Sequence, residues 1–264
     1  MAHNGQRLRG LLVSVCGALL LVSTPAAAQI PNPQSSSSFQ APSSPDFMLG
    51  RPRASIGVRG EWLVASAGSD IYDFVTKQLT LEKSSFNAPG FGAELGIVVL
   101  PRLDIVAGFD IAKSTTPSEY REFVDNKLLP IQQTTSLKQM NVFGEVKFAV
   151  LPRGRAVSRY AWIPSTIVPY VGAGGGLTNY EFTQNGDFVD FADYSVFTES
   201  FRSSGWEPTA HVLAGADLQV YKSLFMSFEG RYTWANATMD PDFISFEPMD
   251  LGGFRFGAGF HVVF

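Results

Sequence analysis

The sequence predicts an all-β fold, an eight-stranded antiparallel up-and-down transmembrane β-barrel. Three observations predict it. Apolar and polar residues alternate in eight successive segments between Ile56 and Phe264. The apolar face of each segment is free of charge, while charges and glycines share the opposite face. The connections alternate between short and long, as in membrane barrels with tight turns at one end and loops at the other. The composition agrees: 17% charged residues against ~25% in ordinary soluble domains, with 22 Phe and 25 Gly. A formal net charge of −4 gives no basic footprint for nucleic acid, so no nucleic-acid partner is expected.

The first elements precede the barrel. Arg7 and Arg9 lead into an apolar run from Gly10 to Val22, and Ala26-Ala27-Ala28 supply the small residues of a cleavage site. This is the pattern of a secretory signal peptide over residues 1–28. The run is too short to cross ~30 Å of hydrocarbon as a helix. Val15 stands where a lipoprotein signal needs a small residue, which argues against an anchor on Cys16. Cleavage would remove Cys16, the sole cysteine, and with it any disulfide, thiol nucleophile or cysteine metal site. Residues 29–50 are rich in Ser, Pro and Gln without periodicity and read as a disordered linker. The barrel is expected over residues 51–264, with no helical periodicity of useful length.

The eight segments follow in order. The first sets Ile56, Val58, Trp62 and Val64 against Arg59 and Glu61. The second sets Phe91, Leu95, Ile97 and Val99 against Gly92, Glu94 and Gly96. The third sets Leu103, Ile105, Phe109 and Ile111 against Asp104 and Asp110. The fourth sets Met140, Val142, Val146 and Phe148 against Asn141, Glu145 and Lys147. The fifth, PYVGAGGGL, sets Val171, Ala173 and Leu177 against Tyr170 and three glycines. The sixth sets Val212, Ala214, Leu218 and Val220 against His211 and Asp217. The seventh sets Met226, Phe228, Tyr232 and Trp234 against Glu229 and Arg231. The eighth sets Phe256, Phe260, Val262 and Phe264 against Arg255, Gly257, Gly259 and His261.

Two closed barrels fit this pattern: a soluble one with the apolar face inside, and a membrane one with the apolar face to lipid. Glycine-rich polar faces favour the membrane solution, because an eight-stranded lumen has room only for interleaved long and absent side chains. Aromatics near the segment ends, Trp62, Phe91, Trp234 and Phe254 at one end and Phe148, Phe260 and Phe264 at the other, form the two expected girdles. The stretch Pro152–Val168, with Arg153, Arg155 and Arg159, is long where a short turn is expected.

The segment GGFRFGAGFHVVF, ending in Phe264, resembles the terminal strand of bacterial outer-membrane barrels, and PYVGAGGGL resembles a strand of the small eight-stranded OmpA-like, OmpX and opacity-protein class. The resemblance covers residues ~51–264. It implies a Gram-negative outer-membrane location, outer-membrane lipids as surroundings, and recognition of Phe264 by the barrel-assembly machinery. It is specific for architecture and unspecific for activity.

The expected lumen holds Arg59, Glu61, Glu94, Asp104, Asp110, Glu145, Lys147, Asp217, Glu229, Arg231 and Arg255, with His211 and His261. Enclosed charges must pair, so an ionic network plugging the barrel is expected; the alternative is a small cation-preferring pore, since acids outnumber bases. A lipid-modifying enzyme, the least favoured reading, would need a nucleophile beside His211 or His261; His211 is followed by Val212 and Leu213 rather than a Ser, His261 lies toward the periplasmic end, and no enzyme, cofactor or metal is expected. The loops are the place for interaction. In the third, Phe188, Phe191, Tyr194 and Phe197 alternate with acids, and read as anchors for an extracellular ligand; an extended hairpin carrying the barrel past the membrane fits the same residues. The expected role is structural or adhesive.

Overall fold

The computed structural model describes residues 47–264. The expected signal peptide and most of the expected linker lie outside the described residues. Eight strands close into one antiparallel barrel: β1 (Ala54–Ala65), β2 (Ala88–Leu100), β3 (Leu103–Val124), β4 (Pro130–Ala149), β5 (Ile167–Val189), β6 (Val196–Tyr221), β7 (Leu224–Trp234) and β8 (Gly253–Val263). Each pairs with its neighbour in sequence, and β8 pairs with β1 from Gly253↔Ala65 to Val263↔Ser55. Closure leaves no edge and pairs the backbone throughout, which hydrocarbon demands.

The alternation fixes the faces. Leu95 and Ile97 of β2 are 59% and 63% exposed, whereas Asp110 and Arg255 are 1% and 2%. Ile56, Val58, Phe109, Val142, Phe228, Phe256 and Phe260 also face outward. A continuous belt of exposed apolar side chains around a charged interior excludes the soluble alternative. Glycines make the interior possible. A Cβ on Gly259 would lie 2.7 Å from the Arg59 Cβ, and one on Gly174 would lie 2.6 Å from the Glu145 Cβ.

The strands differ in length for a reason. Strands β1, β2, β7 and β8 have 11–13 residues, close to the ~9–11 that cross a bilayer. Strands β3 to β6 have 20–26 and continue beyond the membrane as a four-stranded sheet. Its hairpins run out to Val124↔Pro130 and Val189↔Val196. The long third loop expected from sequence is therefore mostly strand, with a short turn at its tip.

This outer extension is filled. The 66–87 connection carries helix α1 (Asp70–Gln78), which the expectation of no useful helix missed. Ser69 precedes it, Asp70 and Asp73 occupy its first turn and Lys77 its last, the charge order that a helix dipole favours. Its Ile71, Tyr72 and Val75, with Leu79 and Phe86, pack on Leu137, Tyr180 and Phe182, which face inward from the extended strands. The 235–252 connection adds Phe243, Met249 and Leu251 to the same core. The two connections are stitched together: the Tyr72 hydroxyl donates to the Asp250 carbonyl at 2.8 Å, and the Asp250 N–H donates to Ser69 Oγ at 3.1 Å.

At the other end the turns Pro101–Arg102 and Lys222–Ser223 are short, which marks the periplasmic side. The Arg-rich stretch there is a hairpin, Gly154–Ser158 with Ala161–Pro164, and Met48–Leu49 pairs with its second strand.

Candidate functional site

Two regions carry the chemistry: the lumen and the extracellular tip. In the lumen, nine of the expected residues meet. Lys147 of β4 sits among three carboxylates, with Nζ 3.2 Å from Glu94, 3.3 Å from Glu145 and 2.9 Å from Glu229. Arg231 bridges Glu145 and Glu229 at 2.9 Å each. Arg59 reaches Glu94 at 2.8 Å, Glu61 at 3.3 Å and Asp110 at 3.6 Å. Arg255 contacts Glu61 at 3.4 Å and donates to Gln139 at 2.8 Å. Asn141 donates to Asp110 at 2.5 Å, and the Tyr170 hydroxyl donates to Glu229 at 3.1 Å. Pairing on this scale offsets the several kcal/mol that each enclosed ion would otherwise cost.

Glu94, Glu145 and Glu229 have oxygens within 4.8 Å of one another, a spacing that could hold a metal ion. The Lys147 ammonium already stands among them. His211 pairs with Glu145 at 3.0 Å and meets the Phe143 ring edge-on. Among the described residues no hydroxyl is hydrogen bonded to His211 or His261.

Two expected members stand apart. Asp104 pairs with Arg153 of the periplasmic hairpin at 2.5 Å. Asp217 lies 3.9 Å from His261, beside a periplasmic cavity of about 70 Å³ that both residues line. Sequence reasoning missed Phe143. Its neighbour Val142 faces lipid, so alternation turns Phe143 inward, and that was the available signal. The ring packs against two guanidiniums, Arg231 at 4.1 Å and Arg59 at 5.4 Å from its centre.

At the tip the four loop aromatics divide. Phe191 and Tyr194 are exposed and lie 5.8 Å and 6.0 Å from Phe123 of the neighbouring hairpin. Phe188, expected as a ligand anchor, is buried at 7% exposure because its β5 position faces inward, where it meets Phe201 at 4.7 Å. Phe197 stays partly exposed and stacks on Phe188. The turn between them is locked by side chains: Asp190 accepts from the Ala192 N–H and Asp193 from the Ser195 N–H. The latter bond holds the Asp193 carboxyl below its ordinary range.

Closed sheet, apolar belt and ion-filled lumen together define the class: a small eight-stranded transmembrane β-barrel of the bacterial outer-membrane type. No protein-family model and no curated protein matches the chain. Solved structures do. Neisserial surface protein A is 12% identical with a TM-score of 0.46, over 83% of this chain and 97% of that one. The outer membrane protein OprG from Pseudomonas aeruginosa is 11% identical with a TM-score of 0.45, over 82% and 99%. Ail, the attachment invasion locus protein of Yersinia pestis, is 14% identical with a TM-score of 0.40, over 81% and 99%.

Proposed function

We propose that this barrel is a sealed scaffold that displays an adhesive extracellular tip. One observation carries the reading: the path through the molecule is blocked twice. The ion network around Lys147 fills the lumen at membrane level, and the apolar core of Tyr72, Tyr180, Phe182 and Met249 fills the extension above it. What the molecule offers to its surroundings is then its outer surface. Phe191 and Tyr194 supply rigid aromatic area at the tip. The two hairpin tips carry Glu119, Glu122, Asp125, Asp187, Asp190 and Asp193 against Arg121 and Lys127, an acidic balance that suits a partner surface of basic character.

The test has two arms. In planar bilayers the purified protein is expected to give no reproducible unitary steps; regular cation-selective steps would establish the pore and overturn the sealed scaffold. For adhesion, cells displaying the protein are expected to bind a polylysine-coated surface, and Phe191→Ser with Tyr194→Ser to bind several-fold less. Equal binding by the variant would remove the tip from the proposal.

A further inference from the structure

We propose that the periplasmic rim holds a binding site for an anionic phospholipid of the inner leaflet. The proposal stands on charge, groove shape and position. The rim carries Arg51, Arg53, Arg102, Arg153, Arg155 and Arg159, with Lys222 nearby. Its two side-chain carboxylates sit inside the lumen mouth: Asp104 is held by Arg153, and Asp217 lines the cavity there, with Arg51 at the cavity's edge. Among the described residues no carboxylate lies within 4.0 Å of Arg51, Arg53, Arg102, Arg155 or Arg159. Five exposed guanidiniums with no directly paired carboxylate on one rim repel one another, and an anionic ligand relieves that cost.

Two grooves give the charge a shape. One, of about 380 Å³, runs between the Pro101–Arg102 turn and the hairpin and is walled by Arg51, Arg102 and Arg159, with Trp162 at its base. The second, of about 570 Å³, continues from Arg51, Arg53 and Arg159 onto Leu49, Val99 and Leu100. Val99 and Leu100 are 51% and 56% exposed at the end of β2, on the face that meets hydrocarbon. A ligand lying across both grooves meets guanidiniums at one end and the lipid-facing wall of the barrel at the other. That is the outline of a phospholipid: its phosphate accepts the planar forks of arginine, and an acyl chain follows Val99, Ile97 and Leu95 along β2. Exposed Val157 and Tyr160 on the hairpin, 60% and 70%, suit the boundary between headgroups and chains better than open water. A soluble anionic polymer would use the arginines and leave the apolar wall unused, so the lipid is favoured.

The experiment is native mass spectrometry of the full mature barrel released from detergent. The probes are phosphatidylglycerol, phosphatidylcholine, free glycerol phosphate and soluble peptidoglycan fragments. The expected result is retention of phosphatidylglycerol about tenfold above phosphatidylcholine, falling with salt. Arg51→Gln with Arg53→Gln and Arg159→Gln is expected to lose that preference. Lys77→Gln with Lys83→Gln and Lys113→Gln, at the opposite end, is expected to keep it. Leu100→Ser is expected to weaken the lipid without altering glycerol phosphate. Equal retention of the two lipids, or an unchanged preference in the arginine variant, overturns the site. Tighter retention of peptidoglycan fragments than of phosphatidylglycerol overturns it in favour of a cell-wall contact, and equal retention of glycerol phosphate reduces it to simple anion binding. Unboiled gel mobility of each variant, unchanged from the parent, establishes that the barrel still closes.

Discussion

The Arg231 guanidinium lies 4.1 Å from the centre of the Phe143 ring. A second guanidinium, that of Arg59, lies 5.4 Å from the same ring. Both cations also share Asp110, at 3.6 Å each, and Glu229, at 3.8 Å and 2.9 Å, so the ring packs on a doubly bridged arginine pair. Phe143→Ala is expected to cost about 3–5 kcal/mol, from lost burial and an enclosed cavity. Phe143→Leu keeps most of the volume and isolates the ring's attraction for the cations, about 1–2 kcal/mol in a desolvated site. Urea titration of the barrel in lipid vesicles measures both. A leucine variant as stable as the parent would show that the ring acts only as a spacer.

Lys147 gives a sharper test, because removing it leaves three carboxylates with oxygens within 4.8 Å of one another. Lys147→Ala is expected to destabilise by about 3–5 kcal/mol. The vacated position should then take a divalent cation in place of the ammonium. Millimolar calcium or manganese is expected to raise the unfolding temperature of Lys147→Ala and to leave the parent unchanged. A variant indifferent to either ion would mean that the carboxylates relax apart or take up protons instead.

The extracellular cap depends on a buried phenol. Burial, with the nearby Asp250 carboxylate, holds the Tyr72 hydroxyl well above its ordinary value of 10.0, so it remains a donor to the Asp250 carbonyl. A folded-state value raised above the unfolded one gives stability that is complete below pH 10 and declines as pH rises beyond it, since the unfolded chain ionises first. The near-ultraviolet circular dichroism of the cap is expected to fade progressively above pH 10. Tyr72→Phe should cost about 1 kcal/mol near neutrality and flatten that alkaline decline. An identical alkaline profile in the phenylalanine variant would assign the effect elsewhere; Tyr120 and Tyr180, whose phenols burial also raises, are the next to examine.

The barrel was legible in the sequence because lipid and lumen impose opposite demands on neighbouring residues. Val58 next to Arg59 and Phe228 next to Glu229 state the face directly. The same logic reached the glycines, whose absent side chains admit Arg59 and Glu145. It failed where alternation stops deciding. Beyond the membrane both faces of the β3–β4 extension are polar or mixed, as in Thr115, Thr116 and Gln132, so the strands read as loop. Helix α1 spans only 9 residues and buries Ile71, Tyr72 and Val75 against a sheet that is distant in sequence. The apolar core above the lumen was invisible for the same reason, since Leu137, Phe182 and Met249 meet only after the hairpins rise. Phe143 escaped because two adjacent apolar residues, Val142 and Phe143, look alike on paper although one meets lipid and the other two arginines.

Phe264 separates assembly from stability. Its backbone closes the barrel: its carbonyl accepts from the Arg53 and Ala54 N–H groups at 2.7 Å and 2.9 Å, and its own N–H donates to the Ala54 carbonyl at 2.9 Å. Its side chain is 67% exposed and adds little packing. Phe264→Ala keeps every one of those backbone bonds, so the refolded barrel is expected to lose only the ring's contact with the bilayer, about 1–2 kcal/mol. If the ring is instead read by the assembly machinery, the same variant in cells should yield several-fold less heat-modifiable protein in the outer membrane and more in the periplasm. A loss of stability in vitro as large as the loss of yield would make Phe264 a packing residue, and unaltered yield with unaltered stability would remove it from assembly altogether.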